Sequence, residues 1–312
     1  MKKIIIVLIL LILCGCKESS QEELSVVVPS GAPSLAFYTE LNNDNFNTGD
    51  AASILPELKG NNGSDIIVID ATNGIKALNA GANYKIAATI TFGNFYIAST
   101  GVDDNNVMED GDYIVVFSQG ATPDLIFHYI YGSDLDSNLH YVSAVSDASA
   151  CLIKGINISD EDRDVSEQPY VEYVLIAEPA LTAALSQNEN ASLYENIQDK
   201  YYEKSGTSMI QASIFVSNDA DENQIKEYLS KLENNINELV NDPSLFENSV
   251  SNLSDTEVKD IFGIPNSKIA TKALNNNTIG LGYNNAYGNK QAIDNFISIF
   301  GMDKTNEEIY FK

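Results

Sequence analysis

The sequence predicts an α/β fold made of two similar lobes. Three observations support this: short continuous apolar runs bounded by turn residues, segments of helical spacing between them, and an internal repeat in the first two thirds. The chain has 312 residues, of which 44% are hydrophobic. This is enough for one large or two ordinary globular domains, and it excludes disorder as the main state.

The apolar runs are four to seven residues long, as expected for strands buried on both faces of a sheet. They span residues 25–28, 66–69, 86–90, 113–117, 141–145, 171–177 and 212–216. Helical spacing recurs at 35–41, 125–131 and 223–241, and Ser254 with Glu257 has capping-box spacing. We therefore expect mainly parallel sheets covered by helices, and a largely helical C-terminal third.

Three pairs of segments match in the same order in the two halves of the repeat. Residues 27–37 match 115–127, residues 50–55 match 147–152, and residues 66–72 match 174–180. Each lobe would then present helix N-termini at the carboxyl ends of its strands, where open α/β sheets bind ligands. Taken alone, the Ser-Gly-Ala-Pro turn at 30–33 is equally explained by ordinary turn chemistry.

The N-terminus has the pattern of an export signal. Lys2 and Lys3 precede an apolar stretch, residues 4–13, that is too short to span a bilayer stably. The following Leu13-Cys14-Gly15-Cys16 resembles the lipobox of bacterial lipoproteins, which implies cleavage before Cys16 and lipidation of Cys16, with 17–23 as a tether. An ordinary signal peptide with an incidental cysteine is the alternative.

Composition excludes several classes of function. The formal net charge is −26, and Arg163 is the single arginine, so binding to nucleic acid or to an anionic membrane surface is not expected. Any membrane attachment would therefore depend on the lipid alone. Only Cys151 lies outside the leader, which rules out a disulfide framework or a cysteine-rich zinc site.

The body of the chain resembles the substrate-binding lipoproteins of ABC transporters, in particular the nitrate/sulfonate/taurine-type group. The resemblance covers residues 24–218 and rests on segments 29–36, 65–74, 84–97, 118–123 and 173–182. It implies the type II periplasmic-binding fold, in which two Rossmann-like lobes enclose a ligand cleft. It also implies a monomer on the outer face of the cytoplasmic membrane that captures a small solute and delivers it to a permease and its ATPase.

On this interpretation, residues 24–102 plus 213–312 form the first lobe and 103–212 the second. The chain would cross between the lobes at 100–104 and at 213–218, which are small and polar enough for hinges. The assignment of the helical tail to the first lobe follows from analogy with the fold alone.

Placing the matched turns on facing lobes predicts the ligand contacts. We expect backbone N–H groups at 31–32 and 120–121 to donate to an electronegative ligand atom, beside hydroxyl and amide side chains. The expected contacts are Ser30, Gly31, Ala32, Ser53, Thr72, Asn73 and Asn94 on one lobe, and Ser118, Gln119, Gly120, Ala121, Thr122 and Glu178 on the other.

No catalytic constellation is evident, so we expect no enzyme, cofactor or metal. His128, His140 and Cys151 are each expected to be structural. Asp70 and Glu178 close matching strands, and helix capping or one bond to a cationic ligand nitrogen is the expected role of each; acid–base work is the less common outcome.

Two other classes of function stay open: an enzyme on the same fold, and a receptor or adhesion lipoprotein with an exposed apolar patch. The sequence does not identify the solute. The scarcity of cations tells against a cationic clamp, although helix N-termini hold anions unaided. Some aromatic residues near predicted loop ends are available to stack on a flat ring, namely Tyr38, Phe92, Phe95 and Tyr96.

Overall fold

The computed structural model describes residues 23–60, 63–101, 108–109, 111–157 and 170–312. The predicted leader with Cys16, most of the tether and residues 102–104 of the expected first crossing lie outside this range. None of the helices formed by the described residues combines the length and the hydrophobicity needed to span a bilayer.

The first sheet has six strands in the order β11-β4-β10-β3-β1-β2, and the second has five in the order β7-β6-β8-β5-β9. The strands are β1 (Val26–Pro29), β2 (Phe46–Gly49), β3 (Ile66–Asp70), β4 (Tyr84–Thr91), β5 (Phe95–Ser99), β6 (Ile114–Phe117), β7 (Leu139–Val142), β8 (Tyr173–Ala177), β9 (Ser192–Asn196), β10 (Ala212–Ser217) and β11 (Leu281–Asn285).

A 3-10 helix at Ala32–Phe37 follows β1, and α-helices connect most of the other strands. They are α1 (Ala51–Lys59), α2 (Ala71–Asn79), α3 (Thr122–Tyr131), α4 (Val145–Lys154), α5 (Ala180–Leu185), α6 (Ile197–Ser205), α7 (Glu222–Asn241), α8 (Ser244–Ser249), α9 (Asp255–Phe262), α10 (Ser267–Asn275) and α11 (Lys290–Ser298). The predicted helix at 223–241 is confirmed as α7, and the capping box of Ser254 and Glu257 opens α9.

The two sheets share one plan, and the three matched segment pairs occupy equivalent places in it. β1 pairs in parallel with β2 and β3, and β6 pairs in parallel with β7 and β8. β10 lies antiparallel beside β3, as β5 does beside β8. The α/β prediction is confirmed, but the sheets are mixed rather than mainly parallel. Inserted antiparallel strands are as apolar as their parallel neighbours, so composition did not reveal their direction.

The segments that lead into the inserted strands are the connections between the lobes. The chain leaves the first sheet after β4, crosses at 92–94 and enters the second sheet as β5; it returns between α6 and β10, at 206–211. These crossings differ from the expected ones at 100–104 and 213–218. The sequence boundary placed 95–102 in the first lobe, because residues 95–99, which form β5, were not among the predicted strands.

Hydrophobic packing follows the strand periodicity. In β1 and β3, Val27 and Ile67 face one core cluster, while Val28 and Ile66 face the other. The first cluster continues into the second lobe, and the second cluster lies between the first sheet and helices α7 to α10. Both faces of the first sheet are therefore covered, and the buried hydroxyls of Thr89 and Ser213 on β4 and β10 pair with each other at 3.1 Å.

Candidate functional site

A cleft of about 700 Å³ lies between the two lobes, at the carboxyl ends of β1, β3, β6 and β8. Because β5 and β10 run antiparallel to these strands, the beginnings of β5 and β10 lie at the same edge. The crossing segments thus form the floor of the cleft. A depression of about 790 Å³ beside the C-terminus is bounded by charged residues such as Lys85, Glu222 and Lys312 of the first lobe alone.

Most of the residues that the sequence predicted as ligand contacts line this cleft. They are Ser30, Gly31, Ala32, Asn73, Asn94, Ser118, Ala121, Thr122 and Glu178. Four others lie outside its lining. Ser53 is exposed on the first turn of α1, Thr72 is buried against Asp70, and Gln119 and Gly120 are exposed at the turn after β6.

The expected backbone cradle is largely occupied by internal hydrogen bonds. The Gly31 N–H donates to the Phe262 carbonyl at 2.7 Å, and the Ala121 N–H donates to the Ser118 carbonyl at 3.0 Å. The Gly120 N–H donates to Asp124 Oδ2 at 2.7 Å. The expectation that the amides of Gly31, Gly120 and Ala121 serve a ligand is therefore corrected, because tight turns already engage these three groups.

An amide chain crosses the floor of the cleft. Gln211 Nε2 donates to Asn94 Oδ1 at 2.8 Å, and Asn94 Nδ2 donates to the Glu178 carbonyl at 2.8 Å. Because a carbonyl only accepts, the orientation of both amides is fixed. Gln211 Oε1 then points away from Asn94, and it is buried without a partner among the described residues. An unsatisfied buried acceptor costs about 1–3 kcal/mol.

Asp70 caps α2 and also reaches the other lobe. Its Oδ1 accepts hydrogen bonds from the Asn73 N–H at 3.0 Å and from Thr72 Oγ1 at 2.5 Å. Its Oδ2 accepts from Thr122 Oγ1, on the first turn of α3, at 3.3 Å. The carboxylate therefore lies at the N-terminal ends of two helices, one from each lobe.

Glu178 is a buried carboxylate with only 4% exposure. It accepts hydrogen bonds from the Thr182 N–H at 3.0 Å, Thr182 Oγ1 at 2.8 Å and Thr278 Oγ1 at 2.7 Å. Tyr96, whose hydroxyl donates to the Thr278 carbonyl at 2.9 Å, has its pKa raised by burial and by the charge of Glu178. Glu178 thus caps α5 and joins the second lobe to the connection between α10 and β11.

His128 lies outside the cleft and supports one of its walls. Its Nδ1 is 3.0 Å from a carboxylate oxygen of Asp124, and its Nε2 is 3.1 Å from one of Asp136. Partial burial lowers the pKa of His128, but the Asp124 carbonyl and the two carboxylates outweigh it and raise the pKa above its usual value. Since Asp124 also holds the Gly120 turn, this cluster braces the rim of the second lobe.

The other chemistry-bearing residues also lie outside the cleft. Cys151 is fully buried in the core, and His140 stacks on Tyr113 with ring centroids 3.5 Å apart. Within the described residues, no group of three or more His, Cys, Asp or Glu side chains has the arrangement of a metal site.

Sequence reasoning missed several lining residues. Gln211 immediately precedes β10, which is not part of any of the three matched segment pairs. No sequence signal therefore distinguished Gln211 as a lining residue. Val145, Ser146 and Ser149 come from α4, whose first turn the repeat had located without predicting its contribution to the cleft. Of the aromatic residues suggested for stacking, Phe95 lines the cleft together with Phe117, while Tyr38, Phe92 and Tyr96 are absent from its lining. The two phenylalanine rings form an edge-to-face pair at 6.1 Å.

Comparison with solved structures identifies the fold. The chain is similar to an ABC transporter protein from Parabacteroides distasonis, with 18% identity and a TM-score of 0.69, over 93% of this chain and 98% of the other. It is also similar to the ligand-binding component of an ABC-type import system from Staphylococcus aureus, solved with zinc bound (11% identity, TM-score 0.60, 93% and 96% covered).

A third similar structure is the periplasmic aliphatic sulphonate binding protein of Escherichia coli (13% identity, TM-score 0.59, 92% and 90% covered). No protein-family model matches the chain, and no curated protein matches it. The fold is therefore that of the periplasmic binding proteins, and its solved neighbours are substrate-binding proteins of ABC importers.

Proposed function

We propose that this protein is an extracytoplasmic solute-binding lipoprotein that captures a small solute in the cleft and delivers it to an ABC permease and its ATPase. The observation that carries the proposal is the cleft itself. Its walls come from two lobes joined by two crossing segments, a geometry in which rotation about the crossings encloses a ligand.

The polar groups of the cleft support binding and not catalysis. Asp70 and Glu178 already cap helices and accept two or more hydrogen bonds each. Among the described lining residues there is no histidine, cysteine or lysine to act as a base or nucleophile. On this proposal the protein is a monomer, and it is not an enzyme.

Solute capture can be tested by fluorescence, because the natural chain has no tryptophan. Ser146→Trp places one indole at the cleft, and Ser230→Trp places one on the exposed face of α7 as a matched control. With a deproteinised bacterial metabolite extract, we expect a blue shift of the Ser146→Trp emission as the lobes close, and no change in the control. We also expect a higher melting temperature of the wild-type protein. An extract that alters neither signal would contradict the proposal.

Anchoring is tested separately, on the predicted acylation of Cys16. Mass spectrometry of the membrane-extracted protein should find an acylated N-terminal cysteine at this position. Cys16→Ser should abolish membrane retention, whereas Cys14→Ser should leave it intact, because only the residue after the cleavage site receives lipid. An intact 1–16 peptide on the mature protein, or a soluble product cut elsewhere, would refute the anchor without affecting solute capture.

A further inference from the structure

We propose that the solute is an organic cation that carries an N–H donor, bound through Asp70 and Gln211 against an apolar wall. This inference rests on the proposed function, since it specifies the class of solute that the cleft takes. It differs in charge from the sulphonate named for one of the similar structures.

The charge of the cleft favours a cation. Its described lining includes the carboxylates of Asp70 and Glu178 and contains no lysine, arginine or histidine. Neither carboxylate has a cationic nitrogen within 4.0 Å in the described part of the chain. A partly enclosed cleft of one charge sign concentrates its field, so this cleft attracts cations and repels anions.

The helix N-termini at the cleft, which are the usual anion sites in open α/β sheets, also disfavour an anion here. The first turn of α3 already faces a carboxylate of the protein, because Thr122 Oγ1 donates to Asp70 Oδ2. An anionic solute at this position would lie beside that carboxylate. The turn amides of Gly31 and Gly120 are engaged internally and offer such an anion no compensation.

An unpaired acceptor lies on Gln211, a residue that lines the cleft although its Oε1 atom is itself buried. Gln211 Oε1 has no partner among the described residues, and its direction is fixed through Asn94. Gln211 also lies next to Asp70 along the sheet: Ala212 is in register with Asp70, and the Ala71 N–H donates to the Gln211 carbonyl at 2.8 Å. A charged nitrogen that bears more than one hydrogen can serve both acceptors.

Apolar side chains form a large part of the remaining lining, beside uncharged polar ones such as Ser30, Asn73 and Ser149. Phe95 and Phe117 are buried at the junction of the lobes, and small or cyclic side chains complete the wall. These are Ala32, Pro33, Pro123, Ala177, Pro179, Ala180 and Ala183. A cleft of about 700 Å³ with this wall suits a molecule with a compact apolar body and one polar end.

The test uses three probes that share one phenyl ring. Benzamidine is a cation with N–H donors, benzamide is its neutral near-isostere with an N–H donor, and benzenesulfonate is an anion. Isothermal titration calorimetry at neutral pH and low salt, with the Ser146→Trp emission as a second readout, should rank benzamidine at least tenfold above benzamide. This ratio corresponds to about 1.4 kcal/mol. Benzenesulfonate should not bind.

Two variants separate the charge from the hydrogen bond. Asp70→Asn keeps a good helix cap and removes the charge, so we expect it to abolish the preference for benzamidine over benzamide. Gln211→Met removes the acceptor, and we expect it to weaken the binding of benzamidine and of benzamide equally, by about tenfold. The matched control is Asp50→Asn. Asp50 caps α1 in the same way and lies outside the cleft lining, so this variant should behave as wild type.

Failure of this inference is distinguishable from failure of the proposed function. Binding of benzenesulfonate above benzamidine, or equal binding of benzamidine and benzamide, would overturn the cation assignment while leaving a solute-binding cleft. Absence of any benzamidine response at millimolar concentration would also overturn it, whereas the metabolite-extract experiment tests capture independently. Equal effects of Asp70→Asn and Asp50→Asn would show that Asp70 acts only as a cap.

Discussion

The hydroxyl of Thr278 offers a direct measure of how strongly the lobes are held together. It donates to Glu178 Oε1 at 2.7 Å, across the boundary between the second lobe and the C-terminal part of the first. Thr278→Val keeps the shape of the side chain and removes this donor. The buried carboxylate of Glu178 then loses one of its three hydrogen bonds, and the two from Thr182 remain.

A hydrogen bond to a charged group contributes about 1.5–3 kcal/mol, and Thr278 is only partly buried, so we expect a loss near the lower end, about 1.5 kcal/mol. The hydrogen bond from the Tyr96 hydroxyl to the Thr278 backbone carbonyl is unaffected by the substitution. Urea unfolding followed by circular dichroism measures the change in the free energy of unfolding. The slope of that free energy against urea should stay the same.

The matched control lies nearby, on α10. Thr271 Oγ1 is buried without a hydrogen-bond partner in the described structure, so Thr271→Val removes an unsatisfied group and should be neutral or stabilising by up to about 1 kcal/mol. Equal destabilisation by the two substitutions would refute the reasoning, because it would mean that loss of any threonine here disturbs packing. An unchanged stability of Thr278→Val would show that the contact between the lobes contributes nothing.

Two further predictions concern pH and the crossing segment. The pKa of His128 is raised on folding, so protonated His128 stabilises the folded protein. This contribution to the free energy of unfolding is fully present below the unfolded pKa of about 6.5, and it is lost as pH rises through the pKa of the folded state. His128→Gln should therefore cost about 0.5–1 kcal/mol of unfolding free energy in urea titrations at pH 5.5 and much less at pH 8.5; a cost independent of pH would contradict this. Gly280→Ala should cost about 3 kcal/mol, because a Cβ there would lie 1.9 Å from the Gly93 carbonyl oxygen. Gly301 is the control, because it has a similar positive φ but open space around a Cβ, so Gly301→Ala should cost about 1 kcal/mol. Thermal denaturation measures both losses of stability. Equal losses for Gly280→Ala and Gly301→Ala would show that only backbone strain matters.

The sequence predicted the central strands well, since β1, β3, β6, β8 and β10 are continuous apolar runs buried on both faces. It missed β2, β9 and β11, which lie at the sheet edges. Edge strands such as Ser192–Asn196 are half exposed and mixed in composition, and backbone pairing with a neighbour holds them in place. β5 is apolar but was not among the predicted strands, and this omission displaced the predicted crossing.

The candidate site was predictable where it followed the repeat. Ser30 and Ser118 follow equivalent strands, so their positions at the cleft came from the pairing of the two halves. Which amides are free depends on tertiary contacts, such as that between the Gly31 N–H and the Phe262 carbonyl, a partner more than two hundred positions away. Gln211 likewise owes its orientation to Asn94, and no local pattern encodes that bond.

A strand from late in the sequence is inserted between two early strands of the first sheet, and this limits the order in which the chain can fold. β10 lies between β3 and β4, yet more than a hundred residues and the whole second sheet separate it from them in sequence. A chain that emerges from its N-terminus therefore holds β3 and β4 without the strand that joins them until residue 217 has appeared. Until then, the first lobe lacks the central strand of its sheet and cannot complete its core. Closure of the first lobe is thus delayed by its topology until most of the chain has been made, which would suit the export that we propose.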